Sequence, residues 1–236
     1  MLAARTLSSV RLQCTPPVAC ERIDPELLQT VVYSRRRIAA GQMVYRAGQP
    51  LCSLYFVNVG CIKTSLASSD GRVRVTGFHF RGELLGMDAL GTAAHEGDAI
   101  ALEDSEVWEV DATTLMTAAA RNPQLQSALT AQMSAQLRSE RRWMLSIATL
   151  GAEQRVAALL LDLGRRLHAL GFSSTHFVLR MTRAEIGSFL NLQLETVTRA
   201  ITQLRERGLL DVTRREIRIL DAAALTALTI SSATAH

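Results

Sequence analysis

Residues 181–207 carry the sequence MTRAEIGSFLNLQLETVTRAITQLRER, which predicts two short helices joined by a tight turn. Thr182 and Glu185 have the spacing of a capping box, in which the hydroxyl accepts a hydrogen bond from a helix-start amide and the glutamate reaches back. We therefore expect a helix to start there. The turn falls at 191–193, and a second helix runs from about Leu194 to Arg207, because Gly208 is a typical helix terminator.

The second helix has one apolar and one polar face. Its apolar residues recur at intervals of three and four, and they are Leu194, Val197, Ala200, Ile201 and Leu204. The opposite face carries Glu195, Thr198, Arg199 and Thr202. Short polar and arginine side chains near the start of a second helix are typical of a recognition helix in the major groove, where they contact base edges. A surface helix with a solvated charged face gives the same pattern, so both interpretations stay open here.

The segments around these helices predict a winged helix-turn-helix domain over 151–236. A helix is expected from Ala152 to about Ala169, and 209–220 alternates as a two-stranded wing would, with Arg214 and Arg215 at its turn. This domain holds eleven arginines against eight acidic residues, a net charge of +3 out of +4 for the chain. Such a balance favours a polyanionic partner, although arginine bias in general gives the same count.

The first half of the 236-residue chain predicts a separate β domain over 23–115. Short β-type runs separated by glycines predict an antiparallel roll or jelly roll, and Asp70-Gly71 is a hairpin signal. These runs are 42–45, 53–57, 61–66, 72–80 and 107–110. Residues 1–22, with two prolines between two cysteines, are interpreted as an N-terminal arm. The predicted fold class is therefore α+β.

The two domains are joined by a predicted long helix within 116–150. Strand signals stop after Asp111, and Pro123 lies near the start of a stretch with few helix breakers. A heptad-like seam alternates spacings of four and three, and it consists of Met133, Leu137, Glu140, Met144 and Ile147. We expect this helix to pair with a copy of itself in a homodimer. Packing against its own β domain is the alternative.

The motifs MTRAEIG at 181–187 and LETVTR at 194–199 resemble the helix-turn-helix of the Crp/Fnr family, most closely the oxygen-responsive Fnr branch. GELLGMDAL at 82–90, GFH at 77–79 and the long helix fit the same family in order. The resemblance covers nearly the whole chain and implies a cyclic-nucleotide-binding-type β-roll, a dimerisation helix and a C-terminal winged helix-turn-helix.

The resemblance also implies a function and a set of DNA-binding residues. It implies an activator of transcription that binds double-stranded DNA and RNA polymerase and responds to oxygen or redox state. Glu195, Thr198 and Arg199 would read a TTGAT-type half-site, with Thr198 where serine is common. The further expected DNA-binding residues are Thr182, Arg183 and Thr196.

The signal that the β-roll senses is less defined. The cyclic-nucleotide branch grips phosphate with an arginine, whereas 91–99 contains no arginine and instead places Glu96 and Asp98 near the anion. Two carboxylates repel a phosphate. We therefore do not expect cyclic AMP as the effector, and another small molecule, or none, is the alternative to a redox signal.

The oxygen-sensing branch holds a [4Fe-4S] cluster with four cysteine thiolates. Cys14 and Cys20 match two arm positions, but Arg11 and Trp108 stand where the other two ligands would be. We expect no stable cluster of the family type. Cys14 and Cys20 could form a thiol switch, bind iron weakly or have no redox role. Cys52 and Cys61 could substitute only if the fold brought them to the arm.

Other functional classes are less consistent with the sequence. No apolar run approaches the roughly 20 residues needed to span a bilayer, and the first 20 residues lack a signal-peptide pattern, so we expect a cytoplasmic protein without membrane contact. His79 and His95 are isolated from other metal ligands, and catalytic motifs are missing, so we do not expect an enzyme. A protein-interaction module that does not bind DNA remains an alternative.

Overall fold

The computed structural model describes Ile23 and residues 31–230. Within these residues the chain forms eleven strands and six α-helices. The strands are β1 Tyr33–Ile38, β2 Met43–Tyr45, β3 Ser53–Val59, β4 Cys61–Ala67, β5 Val73–Phe80, β6 Leu84–Leu85, β7 Asp98–Ala101, β8 Ser105–Asp111, β9 His176–Val178, β10 Leu210–Thr213 and β11 Glu216–Ile219. The helices are α1 Ala112–Arg121, α2 Pro123–Thr149, α3 Ala152–His168, α4 Arg183–Leu190, α5 Leu194–Glu206 and α6 Ala222–Ile230.

The N-terminal domain is a roll of two four-stranded antiparallel sheets, in the orders β1-β8-β3-β6 and β2-β7-β4-β5. Successive side chains along a strand point to opposite faces of its sheet, so one face of each sheet is directed into the roll. The inward side chains form a shared core that includes Tyr45, Tyr55, Val57 and Ile62. This confirms the predicted β-roll. β1, β6 and β7 lie outside the runs predicted from sequence.

A break at Asn122 separates two helices where the sequence predicted one. Asn122 is extended, at φ −123° and ψ 100°, and its side chain accepts hydrogen bonds from the amides of Gln124 and Leu125. The residue before a proline is disfavoured in helical geometry, so Pro123 starts a new helix. The predicted range 116–150 therefore contains the end of α1 as well as all of α2, which is 27 residues long.

The C-terminal domain is the predicted winged helix-turn-helix. Thr182 and Glu185 form the expected capping box at the start of α4. Asn191 ends that helix in the left-handed conformation at φ 56°, and α5 follows. Gly187 permits the tight turn, because a Cβ there would lie 2.6 Å from the carbonyl oxygen of Leu192. β10 and β11 form the wing, and α6, absent from the sequence prediction, packs on α3.

The β-roll packs directly on the helix-turn-helix domain. Cys61, Val75, Phe78 and Phe80 belong to the same buried apolar cluster as the core of the C-terminal domain. Helix α2 spans both domains, since Leu125 and Leu129 pack under the first sheet while Trp143 joins this shared cluster. In the part of the chain described, no helix combines the length and the apolar composition needed to cross a membrane.

Candidate nucleic-acid interface

Helix α5 presents the predicted polar face to solvent. Its inner side is buried through Val197, Ala200, Ile201 and Leu204. Glu195 and Arg199 are exposed on the other side, and Thr196 and Thr198 are half-buried. Leu194, which the sequence assigned to the apolar face, is 45% exposed because it lies at the helix start, beyond the packed interface. The arrangement leaves an arginine and a glutamate free to reach a ligand outside the domain.

The structure brings two of the predicted DNA-binding residues together. Arg183 Nη1 donates a hydrogen bond to Thr198 Oγ1 at 3.3 Å, which joins the start of α4 to the exposed side of α5. Thr182 has a structural role as well, since its hydroxyl accepts a hydrogen bond from the amide of Glu185. The two helices therefore present one continuous surface.

Glu185 is held as a carboxylate at the edge of this surface. Burial alone would raise its pKa, but hydrogen bonds from Lys63 and Thr182 outweigh burial and lower the pKa below its usual value. The charged form is the better acceptor for the helix-start amide. The start of α4 is therefore fixed by a charge that persists at neutral pH.

Further arginines are exposed in the helix-turn-helix domain. Arg214 and Arg215 are exposed at the turn of the wing, where Arg214 takes a φ of 57°. Arg205 at the end of α5 and Arg218 on β11 are also exposed, and neither stands out in the sequence. Exposed arginines on a helix-turn-helix domain suit the phosphates that flank a groove.

Helix α2 carries an apolar stripe that the described part of the chain leaves exposed. Met133 is 46%, Leu137 48% and Met144 70% exposed. Glu140 lies exposed between them and accepts a hydrogen bond from Gln136 at 3.2 Å. Ile147 is half-buried. A different side of the helix faces the two domains, through its buried residues Leu125, Leu129, Gln132, Ala135, Trp143 and Ser146.

The described cysteines do not fit a family-type iron–sulfur cluster. Trp108 occupies the expected β-roll ligand position, where its ring stacks on Tyr33 at 4.6 Å and on Phe56 at 5.4 Å. Burial raises the pKa of the Cys61 thiol, which opposes thiolate formation. Among residues 31–230 and Ile23, no group of three or more potential ligands could hold a metal ion. Arg11, Cys14 and Cys20 lie outside the described residues.

The surroundings of His95 in the β-roll do not favour a cyclic phosphate. His95 stacks on Tyr45 with ring centroids 3.9 Å apart, and its Cε1 would be 2.9 Å from a Cβ on Gly86. Burial lowers the pKa of His95. His95 Nδ1 lies 3.8 Å from Asp88 Oδ1, and the Asp98 carboxylate accepts a hydrogen bond from the amide of Ala47. A buried imidazole and carboxylates do not supply the positive charge that favours a cyclic phosphate.

A buried charge cluster joins the β-roll to α3. Arg166 Nη2 donates to Glu83 Oε1 at 2.7 Å and also to the carbonyl of Phe78. Burial alone would raise the pKa of Glu83, but Arg166 and His79 outweigh it and lower the pKa to about 2. Burial raises the pKa of the neighbouring Asp162, against the effect of the arginines beside it. Both domains therefore contribute charges to one enclosed cluster.

Comparison with known proteins matches both domains. Residues 154–228 match the Crp-like helix-turn-helix domain, and residues 35–122 match the cyclic nucleotide-binding domain. The transcriptional regulatory protein btr of Bordetella pertussis is 38% identical over 212 residues, covering 90% of this chain and 88% of that protein. The fumarate and nitrate reduction regulatory protein of Salmonella typhimurium is 34% identical over 220 residues, covering 93% and 88%.

Among solved structures, FixK2 from Bradyrhizobium japonicum is similar with a TM-score of 0.77 and 30% identity. The similarity covers 84% of this chain and 98% of that one.

Proposed function

Because the chain belongs to the Crp/Fnr family of DNA-binding transcription regulators, we propose that it binds, as a homodimer, an inverted repeat of TTGAT-type half-sites. The observation that carries this proposal is the exposed polar face of α5, with Glu195 and Arg199 free of the core. A recognition helix needs such a face near its N-terminus in order to contact bases in the major groove.

Each residue of the surface has a proposed role. Arg199 donates two hydrogen bonds to a guanine, and Glu195 accepts one from a cytosine amino group. Thr198 contacts a base with its hydroxyl or methyl, while Arg183, its hydrogen-bond partner at 3.3 Å, reaches the adjacent phosphate. Thr182 and Thr196 lie at the starts of α4 and α5, where they contact the DNA backbone.

The dimer forms through the uncovered stripe of α2. Met133, Leu137 and Met144 would be buried against their copies, with Ile147 and Glu140 completing the seam. An isologous pairing of this kind relates the two α5 helices by a two-fold axis, which matches an inverted repeat. The recognition helices would then contact major grooves about one DNA turn, roughly 34 Å, apart.

We place the protein in the cytoplasm as an activator that contacts RNA polymerase and responds to oxygen or redox state. Support for a redox signal comes from the relatives, which include a protein named anaerobic regulatory protein from Pasteurella multocida. Since Trp108 offers no thiolate, the signal would act through Cys14 and Cys20 and not through the family's four-cysteine cluster.

The redox assignment is tested by purification under strict anaerobiosis, followed by iron and acid-labile sulfide analysis. We expect substoichiometric iron, with DNA binding that changes on oxidation and no longer changes in Cys14→Ser or Cys20→Ser. About four iron and four sulfide per chain, lost in either variant, would overturn this account and establish a cluster with an altered ligand set.

A cleft of about 450 Å³ favours a second candidate signal, a small-molecule effector. Apolar side chains of both domains line it, including Val59, Leu163 and Phe172. Arg81 and Arg180 line it as well, and Arg180 pairs with Glu103 at 3.1 Å. An apolar molecule with one carboxylate would suit this lining. Thermal stabilisation by aliphatic and aromatic acids, lost in Arg81→Ala, would support this candidate, and equal stabilisation of that variant would exclude it.

The base-reading role of Arg199 is tested by titrating labelled duplexes in which one half-site position is changed at a time. Arg199→Ala should lose about 1–3 kcal/mol of discrimination at one guanine per half-site and leave random-sequence binding nearly unchanged. Arg205→Ala, on the same helix but at its far end, is the matched control. Equal loss on specific and random DNA in Arg199→Ala would show a phosphate contact instead.

A further inference from the structure

The first helix of the helix-turn-helix contacts both the β-roll and the dimer helix through one aromatic residue. The Phe189 ring lies 5.3 Å from Phe78 of β5 and 5.0 Å from Trp143 of α2, measured between centroids. Trp143 neighbours Met144 of the exposed seam. Three parts of the molecule therefore meet at α4, the helix that leads into the recognition helix.

Polar contacts from β4 and β5 surround this aromatic junction. Lys63 Nζ donates to Glu185 Oε1 at 2.7 Å, with both side chains less than one fifth exposed. The Val75 amide donates to Ser188 Oγ at 3.0 Å. Arg74 Nη1 donates to Asn191 Oδ1 at 2.5 Å. Glu185 and Ser188 are three positions apart and so share one side of α4, and Asn191 ends that helix.

We call the contacts of Lys63, Arg74 and Val75 the β4–β5 clasp. Both oxygens of the Glu185 carboxylate accept hydrogen bonds. Oε1 of Glu185 accepts a hydrogen bond from Lys63, while Oε2 accepts hydrogen bonds from the amide and the hydroxyl of Thr182. Lys63 is the single lysine among 26 basic residues of the chain. The clasp therefore ties the β-roll to the same residue that fixes the start of α4.

We propose that the β4–β5 clasp holds the recognition helix in its DNA-binding orientation, so that Lys63 and Arg74 are positioning residues for DNA binding. This inference rests on the DNA-binding function proposed above. The helices α4 and α5 move as a unit, because Gly187 allows close approach to Leu192 across their turn and Arg183 bonds Thr198. A displacement of the β4–β5 hairpin is therefore passed to α5.

The clasped arrangement is the one in which Glu195 and Arg199 are exposed. Without the clasp, the first helix would sample other positions relative to α2, and only a fraction of the molecules would match the spacing of two half-sites. The apparent affinity of a protein falls in proportion to its binding-competent fraction. Any event that shifts the hairpin, including an effector in the β-roll, would change DNA affinity by this route.

The test compares full-length Lys63→Met with the wild-type protein in DNA titrations at fixed salt. A hydrogen bond to a charged group is worth enough to predict about a tenfold loss of affinity for an inverted-repeat duplex. Arg72→Met is the matched control, since Arg72 lies on the same hairpin but pairs with exposed Asp70. Lys63→Arg, which retains the charge, should recover most of the lost affinity.

A double-mutant cycle with Glu185→Gln separates positioning from folding, because glutamine can still complete the capping box. The two substitutions should be non-additive in DNA affinity, and amide exchange in β5 and α4 should rise in Lys63→Met while the melting temperature changes little. If the wild type binds the duplex specifically and Lys63→Met binds it equally well or more tightly, the positioning role of the β4–β5 clasp is wrong. The proposed DNA-binding function is not affected by that result. Failure of the wild type to bind specifically would count against the proposed function itself.

Discussion

Replacing Arg166 by methionine should destabilise the protein strongly, because it leaves Glu83 buried without its main cationic partner. Glu83 and Arg166 have side chains only 6% and 14% exposed and lie 2.7 Å apart. The pKa of Glu83 falls from 4.5 to about 2 in the folded protein. At about 1.36 kcal/mol per pKa unit, that shift corresponds to roughly 3 kcal/mol of stability at neutral pH.

The direction of the pH effect follows from the sign of this shift. A carboxyl whose pKa is lowered by folding stabilises the folded state fully above its unfolded pKa, near 4.5. That stability is lost as the pH falls from about 4.5 towards 2. In Arg166→Met the effect of burial on Glu83 is less opposed, so the pKa of Glu83 in the folded protein should rise towards its unfolded value. The stability that the wild type loses between about pH 4.5 and 2 should therefore be largely absent from the variant.

The assay is urea unfolding followed by circular dichroism from about pH 7 down to about pH 2, which covers the Glu83 transition. Arg165→Met is the matched control, because Arg165 is adjacent to Arg166 on α3 and donates a hydrogen bond to Asp162 at 2.7 Å. The double variant Glu83→Met with Arg166→Met should regain much of the stability, as apolar replacements of buried ion pairs do. A loss below about 1 kcal/mol in Arg166→Met, or one equal to the control, would refute this reasoning.

Three further predictions concern the seam and the helix-turn-helix. Glu140→Ala should tighten the dimer, since the symmetry-related carboxylates repel each other; sedimentation equilibrium showing unchanged or weaker association would contradict this. Thr182→Val should lower the unfolding free energy by about 1 kcal/mol through loss of the cap, and no change in urea unfolding would show that the cap is dispensable. Gly187→Ala should cost about 1–3 kcal/mol, because its Cβ would lie 2.6 Å from the oxygen of Leu192. The control Gly151→Ala meets only a side-chain oxygen at 3.5 Å, and equal melting temperatures would contradict the prediction.

The helix-turn-helix could be predicted from sequence because its signals are local. The capping box needs only Thr182 and Glu185, three positions apart, and Gly208 ends α5 as expected with a φ of 69°. The wing was predictable for the same reason, since strict alternation marks a half-buried hairpin. Such features depend on neighbouring residues and not on the rest of the fold.

Other elements gave no local signal. β6 has two residues and β9 has three, which is too short for a detectable alternation. α6 is almost uniformly apolar and small, so its sequence lacks the periodicity that marks an amphipathic helix. The break before Pro123, by contrast, had a local signal, because the residue before a proline is disfavoured in helical geometry and Asn122 is extended there.

The contacts between the two domains could not be predicted from the sequence. Lys63 and Glu185 are 122 positions apart, and Glu83 and Arg166 are 83 apart. No spacing rule connects residues at such distances, because only the packing of β4 and β5 on the C-terminal domain brings them together. The single lysine was visible in the composition, but its partner was not.

Sequence-specific binding by the wild-type dimer tests the central proposal most directly. A labelled duplex carrying two inverted TTGAT half-sites, with centres about 10 base pairs apart, is titrated beside a scrambled duplex at several salt concentrations. We predict two chains per duplex and a preference of at least about 1,000-fold for the inverted repeat at physiological salt. Equal affinity for both duplexes, with the same salt dependence, would contradict it.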